Sequence, residues 1–291
     1  PSGLTVEGLL DRCRQGESLR RLFWRPLCLG TLNTESHEAS AFLFLQVLWQ
    51  GFLKHPFSGR FALSTAGLSD VFPDPVRKVL EARGVRFLLR ERILGLGPGR
   101  GRVRALETSK GRRTADLFIL ALPWDAASAL LPGQPWAALQ ASPIVTAYLW
   151  FKKPVMNEPM AGLLGLPFDW VFDRGSLLGS GPGSGPLALV KSAAHDLAGK
   201  SPAVIAKTAA RTLEQAFPHT VENPFRISVY KEPRATFRAT PESDDLRPEA
   251  GTSRPNLFLA GAWTATGLPS TLEGAVRSGR RAAAAALESG S

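Results

Sequence analysis

Cysteine and histidine are both scarce in this chain. Two cysteines, Cys13 and Cys28, among 291 residues cannot form a disulfide framework, and their spacing matches no metal site. Free thiols in a reducing compartment are the expectation. The four histidines, His37, His55, His195 and His219, stand apart without metal-ligand spacing, so no zinc or iron centre is expected. Apolar runs are short. The longest, 39–53, is interrupted by Gln46 and Gln50 and is too short for a membrane span. It reads as a buried helix or as one lying in a lipid interface. No signal peptide and no internal repeat are visible. The first residue is Pro1, from which the natural start is expected to lie upstream. A G-x-G-x-x-G turn between strand and helix is also missing. Gly95-Leu-Gly-Pro-Gly-Arg-Gly101 has the wrong offsets and precedes a strand, so it reads as a hairpin turn, and the Gly- and Pro-rich 179–186 reads as a flexible loop.

Charge is unbalanced toward the positive. Thirty-five Lys and Arg against 25 Asp and Glu leave a net +10. The arginines are spread along the chain and no aromatic-interleaved RNA-binding motif accompanies them, so no nucleic-acid partner is expected. An anionic membrane surface suits this charge better, at about 1 kcal/mol per cation near the lipid. The chain is long enough to bury a substantial core in two lobes or one large domain.

The pattern is helical from 4 to 53, with Leu9, Leu10, Cys13, Leu19, Leu22 and Phe23 at three- and four-residue spacings, and a helix is expected over 35–53. A helix over 76–83 should end at Gly84. Strands are expected over 85–89, 92–96, 102–108, 116–122, 142–151 and 226–231, a helix over 203–217, and a solvated loop over 241–249 with Asp244 and Asp245. Near the C-terminus the apolar run 257–260 suits a buried parallel strand. Gly261 ends it, and Gly267-Leu268-Pro269 turns the chain. Ser270 with Glu273 reads as a capping box for a helix running through the alanines at 282–286. Strand, glycine turn and capped helix can hold an anionic or polar cofactor group at the helix start. The same features also fit an ordinary βα unit whose small residues Gly274, Ala275, Ser278 and Gly279 serve packing alone.

The stretch from Asn256 to Gly279 resembles the C-terminal flavin-binding segment of the FAD-dependent amine oxidase and carotenoid desaturase superfamily. Within it, the match is to the squalene-associated FAD-dependent desaturases, the hydroxysqualene dehydroxylases. Trp263, Thr264, Thr266, Gly267, Pro269, Thr271 and the run from Glu273 to Gly279 fall in place. Earlier segments resemble the same family in order: Pro26-Leu-Cys-Leu29 with Leu32-Asn-Thr34, the Leu122-Pro123 strand end with its Ala-rich helix, Trp170-Val-Phe-Asp-Arg174, and Arg234-Ala-Thr-Phe237.

The resemblance implies an α/β fold: a Rossmann-like FAD/NAD(P) lobe, incomplete at its N-terminus, with an inserted substrate lobe of helices and a mixed sheet. Its boundaries would be substrate-lobe helices over 1–60, cofactor lobe over 61–135, substrate lobe over 136–225 and the final FAD segment over 226–291. FAD would touch Gly261, Ala262, Trp263, Thr264, Gly267, Leu268, Pro269, Ser270, Thr271, Glu273, Gly274 and Ala275, with Leu122 and Pro123 as wall residues. Many superfamily members carry an acidic residue where this chain has Ala262, and losing that acceptor weakens flavin binding by roughly 1–3 kcal/mol.

The implied reaction is reductive removal of the hydroxyl from hydroxysqualene to give squalene, in hopanoid biosynthesis. The hydride would come from the flavin, and the protein would supply an apolar tunnel. Asp173 is the candidate acid, with a structural pairing to Arg174 or a neighbouring arginine as its alternative role. Other readings are a carotenoid or phytoene desaturase, an amine oxidase, or a non-catalytic lipid-binding fragment. An amine oxidase generally needs an aromatic cage, for which a chain with only Tyr148 and Tyr230 is poor. An isoprenoid substrate, the inner face of the bacterial membrane and other squalene-pathway enzymes are the implied surroundings, with the protein in the cytoplasm. The missing dinucleotide turn implies a truncated member with an open cofactor lobe that retains FAD poorly alone.

Overall fold

The computed structural model describes residues 3–60, 62–97, 101–218 and 222–289. Pro1, His219 and the tip of the glycine-rich turn at 98–100 lie outside the described residues.

The N-terminal region is helical, as its spacing predicts. Val6–Arg12 is capped by the Thr5 hydroxyl. Arg25–Leu32 and Ala41–Leu48 follow, the second capped by Ser40 rather than starting at 35. Leu43 and Phe44 of the latter are buried while Phe42, Leu45, Trp49 and Leu53 remain exposed, so this segment has one core face and one open face. Glu7 ties these helices together, accepting from Arg25 at 2.8 Å, Arg20 at 3.1 Å and Ser36 at 2.6 Å. Cys13 and Cys28 are free thiols, and burial pushes the Cys28 thiol far up.

Leu68–Val71 and Pro73–Ala82 are helices, and Gly84 turns the chain at φ +83. The strand expected over 85–89 is not formed. Val85, Phe87, Leu88 and Leu89 are exposed there and pair with no strand. β1 (Ile93–Gly97), β2 (Ala105–Thr108) and β3 (Gly111–Arg113) make a small antiparallel sheet, with Gly97 opposite Ala105, so the glycine-rich segment does join two hairpin strands.

β4 (Phe118–Leu120) pairs in parallel with a strand from the far end of the chain, Leu257–Leu259. Between them in sequence lies a five-stranded antiparallel sheet. β5 (Ala141–Trp150) is flanked by β8 (Leu187–Lys191) and β9 (Arg226–Phe237), and β7 (Trp170–Asp173) and β6 (Met160–Gly162) extend the β8 edge. Val145, Ala147 and Leu149 of β5 alternate inward and pack with Ile205, Ala209 and Leu213 of the Pro202–Ala216 helix. The opposite face of this sheet carries Tyr148, Trp150, Trp170 and Phe172 half-buried and Tyr230 exposed.

β10 is the Leu257–Leu259 strand. Leu257 and Leu259 enter the core built with Phe118, Leu120 and the N-terminal helices, while Phe258 packs with Ala282 and Ala286 of the Leu272–Ser289 helix. A strand buried on both faces explains its unbroken apolar run. Asn256 locks its start: its amide donates to Val103 O at 2.8 Å and Asp116 O at 3.0 Å, and its Oδ1 accepts from Val103 N. Asn33, left-handed at φ 51, joins helices to the larger sheet through Ser142 O, Thr236 Oγ1 and Ala193 N. Among the described residues no helix is long and apolar enough to cross a membrane.

Candidate functional site

Parallel β-strands that end side by side leave a crevice beyond their carboxyl ends. Here β4 and β10 end together, at Leu120 and Leu259. An open crevice of about 410 Å³ lies beyond them. Leu122, Pro123 and Trp124 form one wall, and Gly261, Ala262, Trp263 and Ser270 the other. Ala275, Ser278 and Gly279 of the C-terminal helix close one end, and Arg234 and Ala235 of β9 stand at the other.

The narrow point depends on glycine. Gly261 sits at φ +150, and a Cβ there would strike the Trp263 indole, 2.6 Å from its Cδ1. Trp263 in turn donates its Nε1–H to Leu122 O at 2.8 Å, lacing the two walls together. The Gly261 N–H donates to Ser278 Oγ at 2.8 Å, which fixes the loop against the helix. Small residues on that helix therefore do more than pack: Ser278 is a bonding partner of the wall.

The remainder of the loop is held from beneath by Arg247, a residue the sequence reading passed over. Its side chain is 1% exposed. It donates to the carbonyls of Thr264 at 2.5 Å and Leu268 at 2.8 Å, to Ala262 and Trp263 at 3.3 and 3.4 Å, and to Thr266 Oγ1 at 3.2 Å. Asp244 balances its charge at 2.8 Å, and its guanidinium lies 4.9 Å from the Phe237 ring centroid. Burial pulls the Arg247 pKa down while the Asp244 bond pushes it back. The solvated loop expected over 241–249 is thus partly wound, as the Ser243–Leu246 helix, and Asp244 is an anchor. Nothing in the sequence around Leu246-Arg-Pro248 announces this role, because it consists of bonds to backbone carbonyls 15 to 21 residues away.

The C-terminal helix starts one residue later than its sequence signature implies. Thr271, not Ser270, caps it, accepting from Gly274 N at 3.1 Å. Glu273 does not complete a capping box, pairing instead with Arg277 at 2.6 Å. Gly274 is buried, and a Cβ on it would come 3.1 Å from Pro269 O. Of the residues expected to meet a cofactor, Leu122, Pro123, Gly261, Ala262, Trp263, Ser270 and Ala275 line the crevice. Thr264, Gly267, Leu268, Pro269, Thr271 and Gly274 shape the loop and helix start behind it, and Glu273 is exposed.

Asp173 lies elsewhere, and among the described residues it pairs with no arginine. It is 1% exposed and accepts from Gly175 N, Ser176 N, Ser176 Oγ and Gly183 N at 2.9 to 3.2 Å. It caps the short Arg174–Leu177 helix and pins the 179–186 loop, which is therefore tied down. Its oxygens are engaged by four donors of its own turn and loop, which fits a structural role in place of the catalytic one expected of it.

The chain's two tyrosines do meet. Tyr148 and Tyr230 stand edge to face at 5.5 Å, with Trp150 6.3 Å from Tyr148. They lie on the open face of the larger sheet and line none of the crevice.

Chemically the crevice offers two apolar walls, a backbone approach without a Cβ, and one ionisable lining side chain among the described residues, Arg234, paired with Asp125 at 2.6 Å. A flat, largely apolar ring with a polar edge fits such a slot.

The chain is 35% identical to hydroxysqualene dehydroxylase of Sinorhizobium fredii over 94% of its own length and 63% of that protein's. It is 34% identical to hydroxysqualene dehydroxylase of Rhodopseudomonas palustris over 91% of its length and 62% of the relative's. The chain thus spans somewhat less than two thirds of these relatives. A solved oxidoreductase structure from Methanosarcina mazei superposes with a TM-score of 0.71 at 14% identity, covering 96% of this chain and 67% of the other, which establishes the shared fold. The profile described as flavin containing amine oxidoreductase matches residues 2–287, and the chain belongs to that family.

Proposed function

We propose that this chain is the larger part of an FAD-dependent oxidoreductase that acts on a long isoprenoid, by reductive dehydroxylation of hydroxysqualene to squalene. The observation that carries the reading is the crevice beyond β4 and β10, whose Leu122-Pro123 wall faces Gly261–Trp263. These residues, with Ser270 and Ala275, would hold the flavin. When bound, FAD supplies the hydride chemistry. The protein's own share is to keep the ring between apolar walls, exclude water and offer the hydrocarbon a dry face. The aromatic and aliphatic open face of the five-stranded sheet supports that last role. Exposed Trp49, Leu53, Phe57 and Phe72, interspersed with Lys54 and Arg60, support docking on anionic lipid. A carotenoid desaturase would use the same features, and only the product separates the two.

Titration of the chain with FAD, followed by flavin fluorescence, tests the site. Ala262→Asp restores an acceptor and should tighten binding by roughly 1–3 kcal/mol, whereas Ala275→Trp should fill the crevice and abolish it. Indifference to both substitutions removes the flavin from this crevice. Extraction of squalene after incubating the whole reading frame's product with hydroxysqualene and a reductant tests the reaction; a desaturated product overturns the dehydroxylase reading.

A further inference from the structure

The ladder between β5 and β9 is broken at one place. It runs residue for residue from Trp150 with Arg226 to Ile144 with Glu232, and it resumes at Ser142 with Thr236. β9 therefore spends residues 233–235 where β5 spends Pro143 alone. Pro143 has no N–H to give, and its carbonyl accepts from Ala194 N at 3.0 Å. In a regular strand neighbouring side chains point to opposite faces, and a bulge re-aims them. Here the bulge sets two consecutive residues, Arg234 and Ala235, against the same crevice.

Among the described residues Arg234 is the one ionisable side chain that lines this crevice. Asp125 lies 2.6 Å from its Nη1 and holds it against the first turn of the Trp124–Leu130 helix. Asp125 itself is not part of the lining, so a ligand between the walls meets the cation and not its counter-ion. A guanidinium carries five N–H donors in one plane, and the ion pair leaves others free to face a ligand.

We propose that Arg234 is the charge partner of the reduced flavin: its guanidinium meets the polar edge of the ring and favours the reduced, anionic form over the neutral, oxidised one. The inference rests on the flavin reading above. Two electrons and one proton taken up by the oxidised ring leave it with a single negative charge. Between apolar walls that charge is poorly screened, so a fixed cation at the edge is felt strongly. The chemistry of arginine selects this role over help for the departing hydroxyl. A guanidinium keeps its proton and cannot serve as an acid, whereas an anionic ring needs only a positioned positive charge.

The test measures dissociation constants for oxidised FAD and for dithionite-reduced FAD without oxygen, on the whole reading frame's product. The midpoint potential of the bound flavin is the second readout. The Arg234 side chain is 61% exposed, so Arg234→Met removes the charge without opening a core cavity. It should weaken reduced FAD about tenfold and leave oxidised FAD within about twofold, a fall in potential of about 30 mV for the two-electron couple. Arg234→Lys keeps the charge and should recover most of that fall. Equal weakening of both forms is what a merely structural role would give, and it overturns the inference while leaving the flavin in its crevice. So does a potential that Arg234→Met leaves unmoved; lost squalene formation at that unmoved potential would assign Arg234 to the departing hydroxyl instead. A parent protein that binds neither form overturns the flavin reading together with this one.

Discussion

Two loops in this molecule are held by the same device with opposite sign. At 262–268 a buried cation, Arg247, gathers backbone carbonyls. At 175–183 a buried anion, Asp173, gathers backbone N–H groups. Each loop is too short of regular structure to satisfy its own peptide groups, and each uses one charged side chain as a substitute strand or helix. The difference lies in what the order serves. The Arg247 loop presents Gly261 and Ala262 to the crevice, so its precision is felt by a ligand. The Asp173 loop closes a surface turn beyond β7. A buried charge therefore marks a loop that must not move, and its neighbours decide whether the reason is chemical.

The comparison can be broken by removing either charge. Arg247→Leu leaves at least four carbonyls without their donor and should cost about 3–5 kcal/mol in urea unfolding. FAD affinity should fall with it even in folded protein. Arg247→Lys recovers only part, since an ammonium lacks the planar fork that reaches several carbonyls at once. If Arg247→Leu unfolds like the parent, Arg247 is not the support it looks to be. Asp173→Ala should cost about 2–4 kcal/mol and Asp173→Asn about half that, as Asn keeps one acceptor oxygen. Neither should change FAD affinity in folded protein. A loss of turnover in Asp173→Asn without loss of stability would return Asp173 to the catalytic role.

Finer tests address the helix beneath the crevice and the N-terminal cluster. Thr271→Ala should lower stability by about 1 kcal/mol while Ser270→Ala does nothing, because only Thr271 caps the helix. The reverse order would restore the capping box. Glu7 gives the smallest effect. Burial works to raise its pKa, but bonds from Arg25, Ser36 and Arg20 outweigh this and hold it below its ordinary value. A depressed carboxylate stabilises the fold above its unfolded pKa, and that contribution is lost as pH falls through the lower folded one. Thermal midpoints should therefore drop below roughly pH 4, by less in Glu7→Gln.

How much of this was legible in the sequence follows from the range of the interactions involved. Local patterns carried well: the apolar run of β10, the alternation of β5, the glycine after the 73–82 helix and the N-terminal helices were all readable from neighbouring residues. The strand expected at 85–89 failed because a strand needs a partner, and β-propensity cannot report one. Resemblance brought both crevice walls to attention, Leu122-Pro123 and Gly261–Ser270, though 139 residues separate their strands. The bonding roles of Arg247, Asn33 and Asn256 escaped notice for the opposite reason, although both asparagines stand in segments that carry the resemblance. Their work is to bond distant backbone, and a polar residue doing so looks in sequence like any surface residue. Asp173 was noticed with two roles open, because a capping aspartate and a catalytic one share a letter and differ only in what surrounds them.

The pairing of β4 with β10 also has a consequence for how the protein is made. The bond from Asn256 to Asp116 joins residues 140 apart in sequence, and Trp263 must reach Leu122 across 141. Neither contact can form until about nine tenths of this 291-residue segment has been translated. The five-stranded sheet, complete by Phe237, has no such wait. Synthesis should therefore produce a nascent chain whose five-stranded sheet is folded before its crevice exists, leaving Phe118 and Leu120 for a chaperone to shield until Leu257 arrives.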